Sequence, residues 1–133
     1  MPLRLSICLV LLPAVSLADT ITVSVPHAVG QQIDVYREQC SKDGGVLELD
    51  GDEVVKLVTD EGNEAYVIHA AFTCGDLGHL WCGSGGCSTQ FVIDNKLYET
   101  NRILPYAPNR ISYAKDGEIN YWLPDGFEFT IDE

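Results

Sequence analysis

Cations are scarce in this chain of 133 residues, which has 8 Lys and Arg against 20 Asp and Glu and a formal net charge of −12. A protein that binds nucleic acid or an anionic lipid surface needs a cationic face. The composition therefore argues against both as partners. It favours a basic protein or a cation instead, although a high net charge also serves simply to keep a small protein soluble.

The chain also lacks a long apolar run. Its longest, residues 5–15, is interrupted by Ser6 and Pro13, whereas a membrane-spanning helix takes about 20 apolar residues. A lipid-attachment site at Cys8 is a poor alternative, because Ile7 is bulky and almost no apolar segment precedes it. We expect no membrane insertion of the processed chain.

The first residues instead have the pattern of a cleavable secretory signal. Arg4 supplies the positive charge before the apolar run, and Ser16 and Ala18 place small residues at the positions that a signal peptidase reads. We predict a signal peptide over residues 1–18 and a single domain over residues 19–133. Because Arg4 is lost with the signal, the net charge of that domain is −13.

A Cys-x-x-Cys pair is missing, which argues against a redox-active dithiol. Four cysteines remain after the signal, and an even number in an exported chain predicts disulfide bonds with three possible connectivities. The glycine-rich stretch between two of them suits a tight closed loop, so we favour Cys82–Cys87 and Cys40–Cys74. The second bond would tie an N-terminal helix to a strand and stabilise the fold by about 3–4 kcal/mol.

Metal sites are the competing interpretation of these side chains. A zinc site could use the neighbouring Cys74, His79, Cys82 and Cys87, but their spacing is not a standard one and export favours oxidation. The acidic segments 50–53 and 60–64 offer oxygen ligands for calcium, but neither has the full pattern of a calcium loop. We read both segments as hairpin turns and expect no cofactor.

One helix is predicted near the start of the domain. Val29, Ile33, Tyr36 and Cys40 follow one another at spacings of four, three and four, which places them on one helical face. Pro26 suits a first turn, and the glycines that follow residue 43 end the helix. The predicted helix covers residues 26–41.

The rest of the chain has the alternation and turn residues of β-structure. One helix packed on a meandering antiparallel sheet is an α+β domain. The aromatic residues Trp81, Trp122, Phe91 and Phe127 are expected in the core or at its rim. The predicted strands are 20–25, 46–49, 54–58, 65–73, 89–93, 96–99, 111–114, 119–123 and 127–131.

The glycine-rich loop contains a serine that could be read as a nucleophile. A nucleophile elbow, however, would need glycine where Cys82 stands. A base would have to come from His27, His69 or His79. We therefore expect no enzyme here, with a small hydrolase that uses Ser84 as the competing hypothesis.

The same loop is a better candidate for binding. Successive glycine amides can form a nest for an anion, and a rigid loop loses little entropy when it enters a partner's cleft. A purely structural turn is the plainer alternative. The candidate binding residues are Trp81, Gly83, Ser84, Gly85 and Gly86.

Residues 40–93 resemble a family of small, exported and uncharacterised bacterial proteins. The shared features are Cys40 followed by Gly44 and Gly45, a β segment that leads to Cys74, and the sequence WCGSGGC over residues 81–87. The resemblance covers about half of the processed chain. It implies the fold and an exported location, and no activity.

A fainter similarity is to a periplasmic inhibitor of vertebrate lysozyme, which also presents a loop closed by two cysteines with four residues between them. Lysozyme is basic, so an acidic chain would be attracted to it. The inhibitor's loop carries charged and imidazole groups, whereas this one has only glycine and serine.

Together these patterns predict a soluble periplasmic or secreted protein. We expect it to be a non-enzymatic binding domain whose partner is a protein of the cell envelope, and the acidic composition favours a basic partner. A lysozyme inhibitor is the alternative function.

Overall fold

The computed structural model describes residues 25–98 and 103–131. It has one helix and a set of antiparallel strands, so the predicted α+β class is confirmed. The elements are α1 (His27–Lys42), β1 (Leu47–Glu48), β2 (Val54–Val58), β3 (Glu64–His69), β4 (Thr73–Cys74), a 3₁₀ turn (Gly75–Leu77), β5 (Cys82–Gly83), β6 (Gly86–Ile93), β7 (Lys96–Tyr98), β8 (Ile103–Leu104), β9 (Arg110–Tyr113), β10 (Ile119–Trp122) and β11 (Glu128–Ile131).

Helix α1 forms where the apolar spacing predicts it. The Pro26 carbonyl accepts hydrogen bonds from the amides of Val29 and Gly30, which begins the helix. The helix ends at Lys42, just before Gly44 takes a φ of +85° that other residues rarely adopt. Its apolar face, composed of Val29, Ile33, Tyr36 and Cys40, is buried.

The centre of the molecule is the pairing of β3 with β6. The two strands run antiparallel, with Ala65 opposite Ile93 and His69 opposite Thr89. Four successive residues of β3, from Ala65 to Ile68, are buried, as in strands that are covered on both faces.

Two different layers cover these faces. Tyr66, Ile68 and Val92 pack with the apolar face of α1 in one hydrophobic cluster. Val67 and Phe91 point the other way and pack in a second cluster with residues of the antiparallel sheet β9-β10-β11. The fold therefore has a central sheet between one helix and a second sheet.

The turn after β2 holds the second sheet in place. Arg110 donates two hydrogen bonds to the Asp60 carboxylate, at 3.2 and 2.7 Å. The Glu61 carboxylate accepts the Ser112 hydroxyl at 2.6 Å and the Tyr113 amide at 2.7 Å. These hydrogen bonds lower the pKa of Glu61, the one from Ser112 contributing most.

Two predicted strands differ from the structure by more than one residue at an end. The predicted strand 65–73 stops at His69, because the Ala71 amide bonds to the His69 carbonyl and turns the chain at Ala70. Strand β6 begins at Gly86 rather than at residue 89, since its first residues pair with β5 despite their glycine content.

Aromatic burial follows the prediction for three of the four residues. Phe91 is fully buried, and Trp81 and Trp122 are half-buried, whereas Phe127 is 65% exposed, so the expected core or rim position is wrong for Phe127. The predicted signal peptide 1–18, the lead-in 20–24 and the end of strand 96–99 lie outside the described residues. No helix in the described ranges is long and apolar enough to cross a membrane.

Two glycine substitutions test this packing in opposite directions. A Cβ on Gly45 would overlap the Cys74 sulfur and lie 2.8 Å from the Cys74 carbonyl oxygen, so Gly45→Ala should lower the free energy of unfolding by about 1–3 kcal/mol. Gly30 lies within α1 with open space around it, so Gly30→Ala should raise that free energy by roughly 0.5–1 kcal/mol. Urea unfolding of both variants measures the two effects, and equal stability of the two would contradict the packing described here.

Candidate functional site

The glycine-rich loop is a tight β-hairpin. Cys82 pairs with Cys87 and Gly83 with Gly86, so two residues, Ser84 and Gly85, connect the strands. The Cys82–Cys87 disulfide joins the paired cysteines across the hairpin, with 4.0 Å between their Cα atoms. Gly83, Ser84 and Gly85 are exposed; we call these three residues the hairpin tip.

The back of the hairpin is fixed by β8. Gly86 has a φ of +121°, and a Cβ at this position would overlap the carbonyl group of Leu104 and come within 2.5 Å of the Pro105 nitrogen. Gly86 is thus required where two backbone segments approach closely. Beside the tip, the exposed side chain of Ile103 comes to 4.0 Å from a Cβ built on Gly85.

Trp81 connects the hairpin to the helix. Its indole Nε1 donates a hydrogen bond of 2.9 Å to the Gln39 side chain. Its ring meets Tyr36 edge-on at 4.9 Å and Phe72 at 5.9 Å between centroids. Because these contacts leave Trp81 half-buried, its main role is to hold the hairpin against the helix, and only part of its surface is accessible to a partner.

The second disulfide joins helix α1 to the segment that precedes the hairpin. Cys40 of α1 and Cys74 of β4 are bonded and fully buried, with 5.6 Å between their Cα atoms. The bond joins residues 34 positions apart. Both predicted pairings are therefore present, and the chain between Cys74 and the hairpin is anchored at each end.

The hypothesis of a serine nucleophile gains no support from the neighbouring groups. His69 Nδ1 lies 2.8 Å from the Thr89 hydroxyl, and His79 Nδ1 lies 3.1 Å from the carbonyls of Ala71 and Phe72. Within residues 25–98 and 103–131, no hydrogen bond joins Ser84 to a histidine.

The proposed metal ligands have other partners. The three cysteines of the zinc hypothesis, Cys74, Cys82 and Cys87, are all in disulfides. The described residues contain no group of three or more His, Cys, Asp or Glu that could hold a metal ion. Asp60 and Glu61 accept hydrogen bonds from the second sheet. Glu53 folds back to accept the amides of Asp50 and Gly51, both at 2.8 Å, which is the role of a turn residue.

A groove beside β2 was missed by the sequence analysis. It has a volume of about 490 Å³ and lies between the start of the helix, the turn before β2 and the central sheet. Because its residues come from three separate segments, no local sequence pattern marks it. Its lining consists of Val25, Leu49, Gly51, Glu53, Val54, Lys56 and Tyr66.

One prediction concerns the histidine at the end of β3. Burial lowers the pKa of His69 below its ordinary value of 6.5, because the charged imidazolium loses solvation. The unfolded chain then binds the proton more tightly than the folded one, so the free energy of unfolding should fall as the pH drops through 6.5. An NMR titration of the His69 ring measures this directly, and a pKa at or above 6.5 would contradict the burial described.

Comparison of this chain with known protein families, with curated proteins and with solved structures gives no match. The resemblance of residues 40–93 to small exported bacterial proteins therefore stays a prediction. The two disulfides are consistent with an extracytoplasmic protein, since such bonds form and persist in oxidising compartments.

Proposed function

We propose that this chain is an exported, non-enzymatic binding protein of the cell envelope, and that the hairpin tip is its contact with a partner protein. The observation that carries the proposal is the combination of exposure and support at Gly83, Ser84 and Gly85. These residues are exposed, yet the strands behind them are joined by a disulfide and backed by Leu104 and Pro105.

Such a tip is suited to a narrow cleft. A preordered loop gives up little conformational freedom when it binds, so more of the contact energy appears as affinity. Because glycine and serine are small, the backbone amides and carbonyls of the tip can approach the walls of the cleft closely. The exposed Ile103 next to the tip adds an apolar contact.

The charge of the protein indicates the kind of partner. With a formal net charge of −12 over the whole sequence, the chain attracts a basic protein and repels an acidic one, which raises the rate of encounter with the former. A basic enzyme with an open cleft, such as a lysozyme, is one specific form of this proposal. The tip itself has no charged group, so charge would guide the encounter while shape determines the fit.

Site-specific photo-crosslinking in the native host tests the proposal. A benzoylphenylalanine at position 84 should give one dominant adduct with a basic envelope protein. The same residue at position 41, an exposed serine on the last turn of α1, serves as the matched control and should give none. The adduct should disappear in the double variant Cys82→Ser and Cys87→Ser, whose fold is still held by Cys40–Cys74.

Two results would contradict the proposal. One is the same set of adducts from positions 84 and 41, which would indicate random encounters. The other is an adduct from position 84 that persists in the double variant with its opened hairpin, because the proposal requires the disulfide-closed shape.

A further inference from the structure

Strand β2 lies at one end of the six-stranded sheet formed by the described residues. In the described residues, β2 pairs with β3 on one side, and no strand pairs along its other side. The Glu53 carbonyl accepts the His69 amide, and the Thr59 amide donates to Asn63, so the odd-numbered residues direct their backbone groups toward β3. Because successive residues alternate along a strand, those of Val54, Lys56 and Val58 point to the open edge.

The far end of this edge is closed. The Asp60 amide, which points to the same side as those of Val54 and Lys56, donates to the Ile111 carbonyl of β9 at 3.0 Å. The open part is thus limited to β2 itself, and it lies directly beside the groove.

The groove provides room for apolar side chains. Val54 and Tyr66 line it from the central sheet, and Val25 and Leu49 line it with 41% and 47% of their surface exposed. The volume of about 490 Å³ lies in the range of pockets that bind ligands.

Acidic residues adjoin the lining of the groove along the chain. Asp50 and Asp52 are exposed on either side of Gly51, which lines the groove, and Glu48 is exposed just before Leu49. The cation among the lining residues, Lys56, is already bound to Glu64 at 2.8 Å. Among the described residues, none of these three exposed carboxylates is in an ion pair, so they can attract a cationic group on a ligand.

We propose that this groove and the edge of β2 together bind an extended peptide segment that is apolar in its middle and basic at its ends. The peptide adds to β2 as a further strand, a recognised mode of peptide binding in which main-chain hydrogen bonds give affinity and pockets select side chains. Its apolar side chains enter the groove, and its terminal cations face Glu48, Asp50 and Asp52. This site is separate from the hairpin tip and does not depend on the function proposed for it.

Synthetic peptides test this proposal on the full processed chain. The probe alternates Val and Thr and carries Lys at both ends, and the matched control carries Glu at the ends instead. The Lys-flanked peptide should bind saturably in isothermal titration calorimetry and about tenfold or more tighter than the Glu-flanked one at low salt. A third peptide with Pro at two adjacent central positions should bind more weakly by a similar factor. Successive N–H groups of a strand point to opposite sides, so one of the two lost N–H groups faces β2 in either strand direction.

Matched protein variants locate the site. Leu49→Arg places a cation among the apolar residues that line the groove. Because burying that charge under the peptide is costly, the variant should bind the Lys-flanked peptide about tenfold or more weakly. Leu77→Arg changes the same residue type at nearly the same exposure, 46% against 47%, outside the groove, and should leave binding unchanged. Hydrogen exchange of the Val54 and Lys56 amides should slow when the peptide binds.

Several outcomes would overturn the proposal. They are the absence of saturable binding, equal binding of the Lys- and Glu-flanked peptides, equal effects of Leu49→Arg and Leu77→Arg, and protection of the Lys56 amide by dimerisation of the chain without peptide. Ser84→Trp at the hairpin tip should leave peptide binding unchanged, so failure at one site is distinguished from failure at the other.

Discussion

The burial of β6 between two apolar layers is the constraint on which the rest of the structure depends. One side of the strand packs with α1 through Val92, and the other packs with the second sheet through Phe91. The same strand continues outward without a break to Gly86 and Cys87, where it becomes one arm of the hairpin. The hairpin tip is therefore continuous with a strand whose inner part is buried. Because that strand is fixed by packing, the glycines of the hairpin are held in one conformation.

The two disulfides have different effects on the structure. Cys40–Cys74 closes a long loop and, in the chain-entropy description, stabilises the fold by about 3–4 kcal/mol. Cys82–Cys87 closes a short loop, for which the same description gives only about 2 kcal/mol. Its main effect is local, because it fixes the hairpin at its base while Trp81 fixes it to α1. The hairpin is thus held rigid without a large core of its own at that end of the molecule.

Sequence patterns predicted the helix, the fold class and both cysteine pairs, because each depends on spacing or on local glycine content. They did not predict how the strands divide into separate sheets. The alternation of Tyr66, Ile68, Ala70 and Phe72 continues past the point where the chain turns, so it could not reveal the end of β3. The support given by Trp81 and the groove beside β2 also escaped prediction, since both arise from contacts between distant segments. The exposed position of the tip was expected, whereas the requirement for glycine at Gly86 follows only from the approach of Leu104.

The central claim is that oxidation gives the hairpin its shape, with each cysteine bonded to one defined partner. Proteolytic peptide mapping without reduction, on protein isolated from the native host and alkylated at once, tests it most directly. The account predicts one peptide pair joined through Cys40 and Cys74, and a separate peptide closed internally through Cys82 and Cys87. A bond between Cys74 and Cys82, or alkylated free thiols at Cys82 and Cys87, would contradict it.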